Sequence, residues 1–288
     1  PEYINDADEF HILDLTNQHA VDDFFLRNAF DEVYQLAADM GGADYIFTGD
    51  NDLEIMTRSM QINLNVIDAV RAYNVPKIFY SSSACVYSED KQLDKNNIDC
   101  RESAAYPANP DSEYGWEKLF SERLYQNLHK HTNTQVRIAR FHNIFGPSSE
   151  YDSGREKAPA ALCRKVALCP NGGSIDVYGS GEQVRSFMFI SDCLDCVEDL
   201  MLSGYFAPVN IGSDFTISIN DLAKKIIAIS GKSITINNID VPQTGVVART
   251  SDNELFDRMV GTPRKVGLPD GLEKLYRWVA NQVNGFTS

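Results

Sequence analysis

Lys77-Ile78-Phe79-Tyr80-Ser81-Ser82-Ser83-Ala84-Cys85, followed about thirty residues later by Tyr114-Gly115-Trp116-Glu117-Lys118, is the pairing on which the reading of this 288-residue chain turns. The apolar run from Lys77 to Tyr80 reads as a buried strand, and the serines mark its end. Tyr114 and Lys118 are four residues apart, so on a helix they share one face. A tyrosine with its ordinary pKa near 10 is a poor base at neutral pH, and the Lys118 ammonium is expected to hold the Tyr114 phenol partly ionised. A strand-end hydroxyl such as Ser83 completes a proton-transfer trio. Y-x-x-x-K alone recurs by chance in many helices. Joined to the serine run, it points to hydride chemistry at a sugar or alcohol carbon.

Outward from that stretch, strand-like and helical patterns alternate. Phe10 to Leu15 and Glu32 to Ala37 read as strands, and Glu54 to Tyr73 as a helix, with Ile55, Met56, Met60, Ile62, Val66, Ile67 and Val70 at helical spacing. A helix from about Asp111 to His129 and a strand from Val136 to Arg140 follow the central pair. Such alternation predicts right-handed βαβ units and a doubly wound parallel sheet covered on both faces. Ligands of such sheets gather at the carboxyl ends of the strands. The loops Ala37-Ala38-Asp39, Ser81-Ser82-Ser83 and Phe141-His142-Asn143 are therefore expected to converge on one crevice. Beyond Ser148 the elements are shorter and interleaved. Helices are expected at Ala158 to Val166, Ile219 to Ile229 and Gly271 to Val283, and strands at Ile175 to Tyr178 and Ser186 to Ile190. They suggest a smaller lobe rather than a linker-joined domain.

The net charge of −15 argues against nucleic acid and anionic membrane as partners. An anionic small molecule then needs a local basic cluster, for which Lys165, Gln183, Arg185 and Arg249 are candidates. No apolar run approaches the ~20 residues of a membrane span. Six cysteines are too sparse for a disulfide scaffold in a chain this long, and a reduced cytoplasmic protein is expected. Cys193 and Cys196 have C-x-x-C spacing but lie in an amphipathic helical pattern with no accompanying histidine cluster, so no metal site is expected. A dinucleotide-binding fold opens with a strand and a glycine-rich turn that receives the pyrophosphate. None follows a strand near Pro1, and Gly41-Gly42 comes too late. The first βαβ unit, with that turn, is expected to lie outside this chain.

Several further segments carry a family resemblance. They are Leu36-Ala37-Ala38-Asp39-Met40-Gly41-Gly42, Ser82-Ser83-Ala84-Cys85-Val86-Tyr87, Arg140-Phe141-His142-Asn143-Ile144-Phe145-Gly146-Pro147, Gly154-Arg155-Glu156-Lys157-Ala158-Pro159-Ala160-Ala161 and Pro208-Val209-Asn210-Ile211-Gly212-Ser213. With these, the chain resembles the extended short-chain dehydrogenase/reductase family of nucleotide-sugar epimerases and dehydratases. The resemblance implies a Rossmann-like sheet with a smaller mixed α/β substrate lobe. Residues 1–150 would form the NAD-binding domain, with 186–212 returning to it, and 151–288 would mainly bind the nucleotide sugar.

The implied reaction is epimerisation of GDP-mannose at C3 and C5 through a transient 4-keto sugar, with NAD as cofactor. The products are GDP-L-galactose and, for C5 alone, GDP-L-gulose. Tyr114, supported by Lys118 and Ser83, takes the C4 hydroxyl proton. Inversion needs proton transfer on two faces, and by similarity the groups are Cys85 and Lys157. A free cysteine is most often a small buried hydrophobe. It works as a base only as a thiolate, which nearby cations favour. By the same resemblance Asp14, Leu15, Leu36, Ala37 and Ala38 join Tyr114 and Lys118 at the cofactor. Asp14 also has the simpler reading of a turn residue. Gly41, Gly42, Ser83, Ala84, Cys85, Asn143, Glu156, Lys157, Ala158, Lys165, Gln183, Arg185 and Arg249 meet the substrate. Gly41 and Gly42 are expected to let backbone approach the sugar or to form a turn. A homodimer through the Tyr114 helix and the Glu54 to Tyr73 helix is the family expectation. Another nucleotide sugar of the same family, or a binding module without catalysis, remains open at this point.

Overall fold

The computed structural model describes residues 7–240 and 245–285. Helix α1 (Gln18–Arg27), strand β1 (Glu32–Gln35), helices α2 (Ala43–Phe47) and α3 (Asp52–Ala72), strand β2 (Lys77–Ser83), helix α4 (Glu113–His131) and strand β3 (Gln135–Phe141) build the first lobe. The second half runs through β4 (Ile144–Phe145), α5 (Ala158–Leu168), β5 (Ser174–Tyr178), β6 (Val184–Ser186), β7 (Met188–Phe189) and α6 (Ile190–Leu202). Then follow β8 (Val209–Ile211), β9 (Thr216–Ser218), α7 (Ile219–Ser230), β10 (Thr235–Ile239), β11 (Ala248–Arg249), α8 (Glu254–Met259) and α9 (Leu268–Val283).

The central sheet is parallel, in the order β1-β2-β3-β8, with Gln35 opposite Tyr80, Ser83 opposite Phe141 and Phe141 opposite Ile211. Alternate residues of a strand face opposite layers. On β2, Ile78 and Tyr80 pack with Val21, Val66, Val70 and Tyr125 under α1, α3 and α4. Phe79, between them, packs with Leu200, Val209, Ile211 and Phe256 under α6 and α8. Both faces are covered, which is why β2 reads as an unbroken apolar run rather than an alternating one.

A second core lies in the other lobe, where Leu162 and Val166 of α5 meet Ile175 and Val177 of β5, Leu222 and Ile226 of α7, and Leu272 and Leu275 of α9. There β5 pairs in parallel with β10, while β6 lies between β11 (parallel) and β9 (antiparallel).

Helix ends follow local chemistry. The Ser112 hydroxyl accepts from the Gly115 N–H at the start of α4, and the basic residues His129, Lys130 and His131 sit in its last turn. The Ser218 hydroxyl accepts from the Asp221 N–H at α7, which ends on Gly231 with φ +67°.

The expected strand at Phe10 to Leu15 does not form. Among the described residues β1 pairs only with β2, so this segment has no ladder to join, and the Phe10 and Ile12 side chains stay exposed. Its backbone instead closes on Asp14, whose carboxylate accepts from both the N–H and the hydroxyl of Thr16. The helix that follows, α1, was not expected; Asn17 caps it through the Ala20 N–H. Cys193 and Cys196 are buried free thiols inside α6, and all six cysteines are unpaired. The segment expected ahead of Pro1 lies outside the described residues.

Candidate active site between the sheet edge and the second lobe

A cavity of about 470 Å³ opens at the carboxyl edge of the sheet and runs along α5 to β5 and β6. Its floor is the β2–α4 junction. Ser83 ends β2, and its hydroxyl accepts from the Cys85 N–H to start a single 3-10 turn, Ala84–Val86. Helix α4 presses on that turn at Gly115. A Cβ there would come within 2.2 Å of the Cys85 carbonyl oxygen, so glycine inside Tyr-Gly-Trp-Glu-Lys permits the approach that brings Tyr114 beside Cys85.

Tyr114 and Lys118 are both buried. The Lys118 ammonium donates to the Ser81 carbonyl at 2.9 Å and stands 5.6 Å from the Tyr114 ring centre. Burial lowers the Lys118 pKa. The Tyr114 phenol is pushed well above its ordinary range, first by burial and then by the Cys85 and Glu117 charges; the Ser83 hydroxyl acts in the opposite direction. The expectation that Lys118 leaves Tyr114 partly ionised is therefore corrected. In the protein by itself desolvation dominates and holds the phenol pKa well above its ordinary range.

Cys85 and Lys157 both line the cavity, but from different lobes. The Cys85 sulfur accepts from Nη1 of Arg249 at 3.1 Å. Lys157 is the residue before α5, and among the described residues no hydrogen bond or ion pair engages its ammonium. Its surface is accessible but opens into the cavity, and the surrounding protein pulls its pKa down by desolvation, with Cys85 and Cys193 opposing. The helix N-terminus behind it acts in the same sense as burial. A lysine in that state gives up a proton more readily than a solvated one.

The remaining substrate candidates line the same cavity: Gly41, Gly42, Ala84, Asn143, Glu156, Ala158, Lys165, Gln183, Arg185 and Arg249. Gly42 lines the cavity and also makes room across its mouth. A Cβ on it would sit 2.5 Å from the Glu156 carbonyl oxygen, so its bare backbone makes room for the loop that carries Lys157. Arg155 of that loop stacks on the Tyr45 ring at 4.0 Å and reaches Asp39 at 3.4 Å, joining the two sides of the mouth. Asn143 has φ +48° and donates to the Ser186 carbonyl. Among the described residues Arg185 donates only to the backbone carbonyls of Val184, Val246 and Val247, and burial brings its pKa down to about 10, with Arg249 adding repulsion. Lys165 donates to the Asp176 carbonyl and lies over the Tyr178 ring. The buried Gln183 Oε1 has no hydrogen-bond partner among the described residues.

The cofactor candidates divide into two groups. Leu36, Ala37 and Ala38 follow β1 beside the end of β2, where the Ser81 hydroxyl donates to the Gln35 carbonyl. Leu36 is exposed there, and Ala37 is tied to the Gln35 side chain. With Lys118, which spends one of three N–H donors on Ser81, and with Tyr114, this edge fits the nicotinamide-ribose end of a dinucleotide. Asp14 and Leu15 lie on the coil ahead of α1 and do not line the cavity. Thr16 holds the exposed Asp14 carboxyl below its usual pKa, as a turn residue would be held. Among the described residues no glycine-rich turn follows a strand to cradle a pyrophosphate, and no group of side chains could hold a metal ion.

Two residues behind the cavity wall, in contact with Arg249, were not anticipated. Gln92 and Asp111 grip Arg249 across 157 and 138 positions of sequence, and no local pattern announces a contact of that span.

Comparison with known proteins agrees with this picture. A family model described as "NAD dependent epimerase/dehydratase family" matches residues 1–212. A GDP-mannose 3,5-epimerase of Arabidopsis thaliana is 40% identical over 277 residues, covering 96% of this chain and 72% of that protein. A UDP-glucose 4-epimerase of Thermotoga maritima, solved with UDP-glucose, has TM-score 0.83 at 19% identity, covering 95% of this chain and 85% of that one. A UDP-glucose 4-epimerase of Thermus thermophilus, solved with NAD, gives 0.79 at 16%, covering 93% and 83%. At such identities the two structures speak to the fold alone.

Proposed function

This chain belongs to the NAD dependent epimerase/dehydratase family, and from that premise we propose that it epimerises GDP-mannose at C3 and C5 through a transient 4-keto sugar. One observation carries the reading. A thiol beside an arginine, and a lysine whose pKa the surrounding cavity lowers, enter one cavity from two lobes, next to Tyr114. The 40% identity to a protein named for that reaction supports the substrate.

NAD, when bound, supplies the hydride acceptor for C4 and afterwards the hydride that restores it. Tyr114 takes the C4 hydroxyl proton as that C–H bond breaks. It does so as the phenolate, which Ser83 favours and for which Lys118 is the cation within reach, and it becomes the phenol. The C4 ketone acidifies the neighbouring C–H bonds. The Cys85 thiolate accepts such a proton and becomes a thiol, and the C–H electron pair moves into the enolate. Lys157 returns a proton to the same carbon from the other side, becoming an amine, and the enolate pair closes the new C–H bond. Inversion at C5 alone gives GDP-L-gulose, and at both centres GDP-L-galactose.

Arg185 and Lys165 give the cavity positive charge toward the diphosphate, since their donors rest on neutral carbonyls. Leu36, Ala37, Ala38, Tyr114 and Lys118 are the cofactor-facing set, and Asp14 and Leu15 extend it only if the coil ahead of α1 closes on the ligand. A cofactor domain (1–150 with 186–212) and a substrate lobe (mainly 151–288) are the proposed division, supported by the separate packing around the central sheet and around α5, α7 and α9. Two copies are expected to pair through α3 and α4, whose Leu53, Leu64, Trp116 and Phe120 are exposed. The six free thiols suit the reducing cytoplasm.

The test is incubation with GDP-mannose and NAD+, with products separated and identified by NMR. GDP-L-galactose and GDP-L-gulose are the expected products. Turnover of another nucleotide sugar with GDP-mannose untouched would move the substrate assignment elsewhere in the family.

A further inference from the structure

Arg249 is a buried arginine with three different protein partners. Its Nε donates to Gln92 Oε1 at 2.6 Å, Nη2 to Asp111 Oδ2 at 2.7 Å and Nη1 to Cys85 Sγ at 3.1 Å. Gln92 is fully buried, and its amide nitrogen is itself anchored on the carbonyls of Tyr87 and Ser88, which aims the oxygen at the guanidinium. Asp111 is also anchored. Its other oxygen accepts from Ser112, the capping residue of the helix that carries Tyr114. The guanidinium is thus gripped on two edges by groups that cannot swing away, and only its third edge faces the sulfur. Among the described residues Arg185, a neighbour in the same wall, has carbonyl partners only.

We infer that Gln92 and Asp111 are positioning residues for epimerisation: they lock Arg249 against Cys85 so that the sulfur is presented as a thiolate to the sugar ring. The inference rests on the reading of Cys85 as the ring base. Its physical basis is the weak screening of charges in a buried site, where a guanidinium in contact with sulfur favours the anion. Other charged groups also face Cys85: Lys157 from the α5 loop, Lys118 from α4 and Arg185 from β6 on the cationic side, with the Tyr114 phenol beside them. Among the described residues Arg249 is the one in hydrogen-bond contact with the sulfur. Asp111 brings a negative charge into the same wall. Were it acting on the sulfur directly it would oppose the thiolate, whereas through Arg249 it supports it, so the two roles have opposite signs.

The test is the rate of Cys85 alkylation by iodoacetamide at pH 7, read by mass spectrometry of the Cys85 peptide in the full chain. It is set beside kcat and KM for GDP-mannose. Gln92→Leu changes no charge and removes the Nε acceptor. It is expected to slow Cys85 alkylation about tenfold and to lower kcat by at least as much, with KM within about twofold. Arg249→Lys keeps a charge that cannot be gripped on two edges, and it is expected to fall between wild type and Gln92→Leu. Asp111→Asn is expected to slow alkylation; acceleration would mean that Asp111 acts on the sulfur directly. Unchanged alkylation in a folded Gln92→Leu, wild-type behaviour of Arg249→Lys, or a rise in KM alone would overturn the inference, the last by placing Arg249 on the substrate. Alkylation needs no turnover. A protein inactive on GDP-mannose would sink the proposed function and still report on the clamp.

Discussion

The two walls of the cavity are built differently. On the sheet side, Cys85 sits in a short turn wedged between β2 and α4, and three polar groups around it are tied down: Ser83 to the Cys85 amide, Arg249 to Gln92 and Asp111, Lys118 to Ser81. On the lobe side, Lys157 ends an irregular loop and its ammonium is engaged by nothing among the described residues. The loop is located by packing rather than by bonds to the lysine, through Gly42 under the Glu156 carbonyl and Arg155 on Tyr45. A base must be held as an anion in a dry site, and that demands a fixed counter-charge. An acid must shed a proton, and partial desolvation in a cavity without a partner favours that. The contrast between the walls follows from the opposite demands of the two roles.

Removing Tyr114 tests what both walls depend on. Tyr114→Phe is expected to lower every step by about 10²–10⁴-fold, because without the C4 ketone neither wall has an acidic C–H to act on. Retained hydrogen exchange at C3 or C5 in that variant would separate the walls from C4 oxidation. Gly42→Ala tests the lobe side alone. The new methyl must displace the Glu156 carbonyl, and a shift of about 1 Å at Lys157 is expected to cost about 10²-fold in epimerisation. Some loss of thermal stability should accompany it, since the methyl meets backbone, while C4 oxidation read by NADH absorbance should survive.

The pH dependence sharpens the contrast further. Lys157 acts as an ammonium whose pKa burial has lowered, so exchange at C3 and C5 should decline as pH rises, beginning below the ordinary lysine value of 10.5. The Tyr114 phenol is shifted upward, so hydride transfer should lack that limb. Profiles of the two processes that fall together would assign the limb to a shared group. The smallest effect expected is on stability, beneath the sheet side. His142 is fully buried and bonded to Asn210, and burial takes its pKa down to about 3. An unfolded histidine binds its proton near 6.5, so between about 6.5 and 3 the unfolded chain holds a proton that the folded one does not. Stability should therefore fall as pH falls, by roughly 1.4 kcal/mol per pH unit from this site. Urea unfolding at pH 7 and pH 5 should show that slope, and His142→Gln should remove it.

How much of this was legible in the sequence depends on the range of the interaction. Helices α3 and α4 and strands β2 and β3 carry their own periodicity, and each lies within a few residues of its expected place. Phe10 to Leu15 has strand chemistry but no neighbour to pair with, and pairing is a property of two segments, not one. The residues of the cavity wall carry motif signals wherever they lie near the strand ends, as Ser83, Cys85 and Asn143 do. Gln92 and Asp111 carry none, because their partner is more than a hundred positions away. The Tyr114 ionisation was misjudged for a related reason. The i, i+4 spacing places a lysine on the right face, but only the fold determines how much water is left around the phenol.

The most direct measurement is position-resolved deuterium uptake into GDP-mannose in heavy water with NAD+ present, for wild type, Cys85→Ala and Lys157→Ala. Two walls with opposite proton duties predict deuterium at C3 and C5, none at C4, and loss of uptake at both carbons in either variant. Turnover without solvent deuterium at C3 or C5, or full uptake surviving both substitutions, would contradict it.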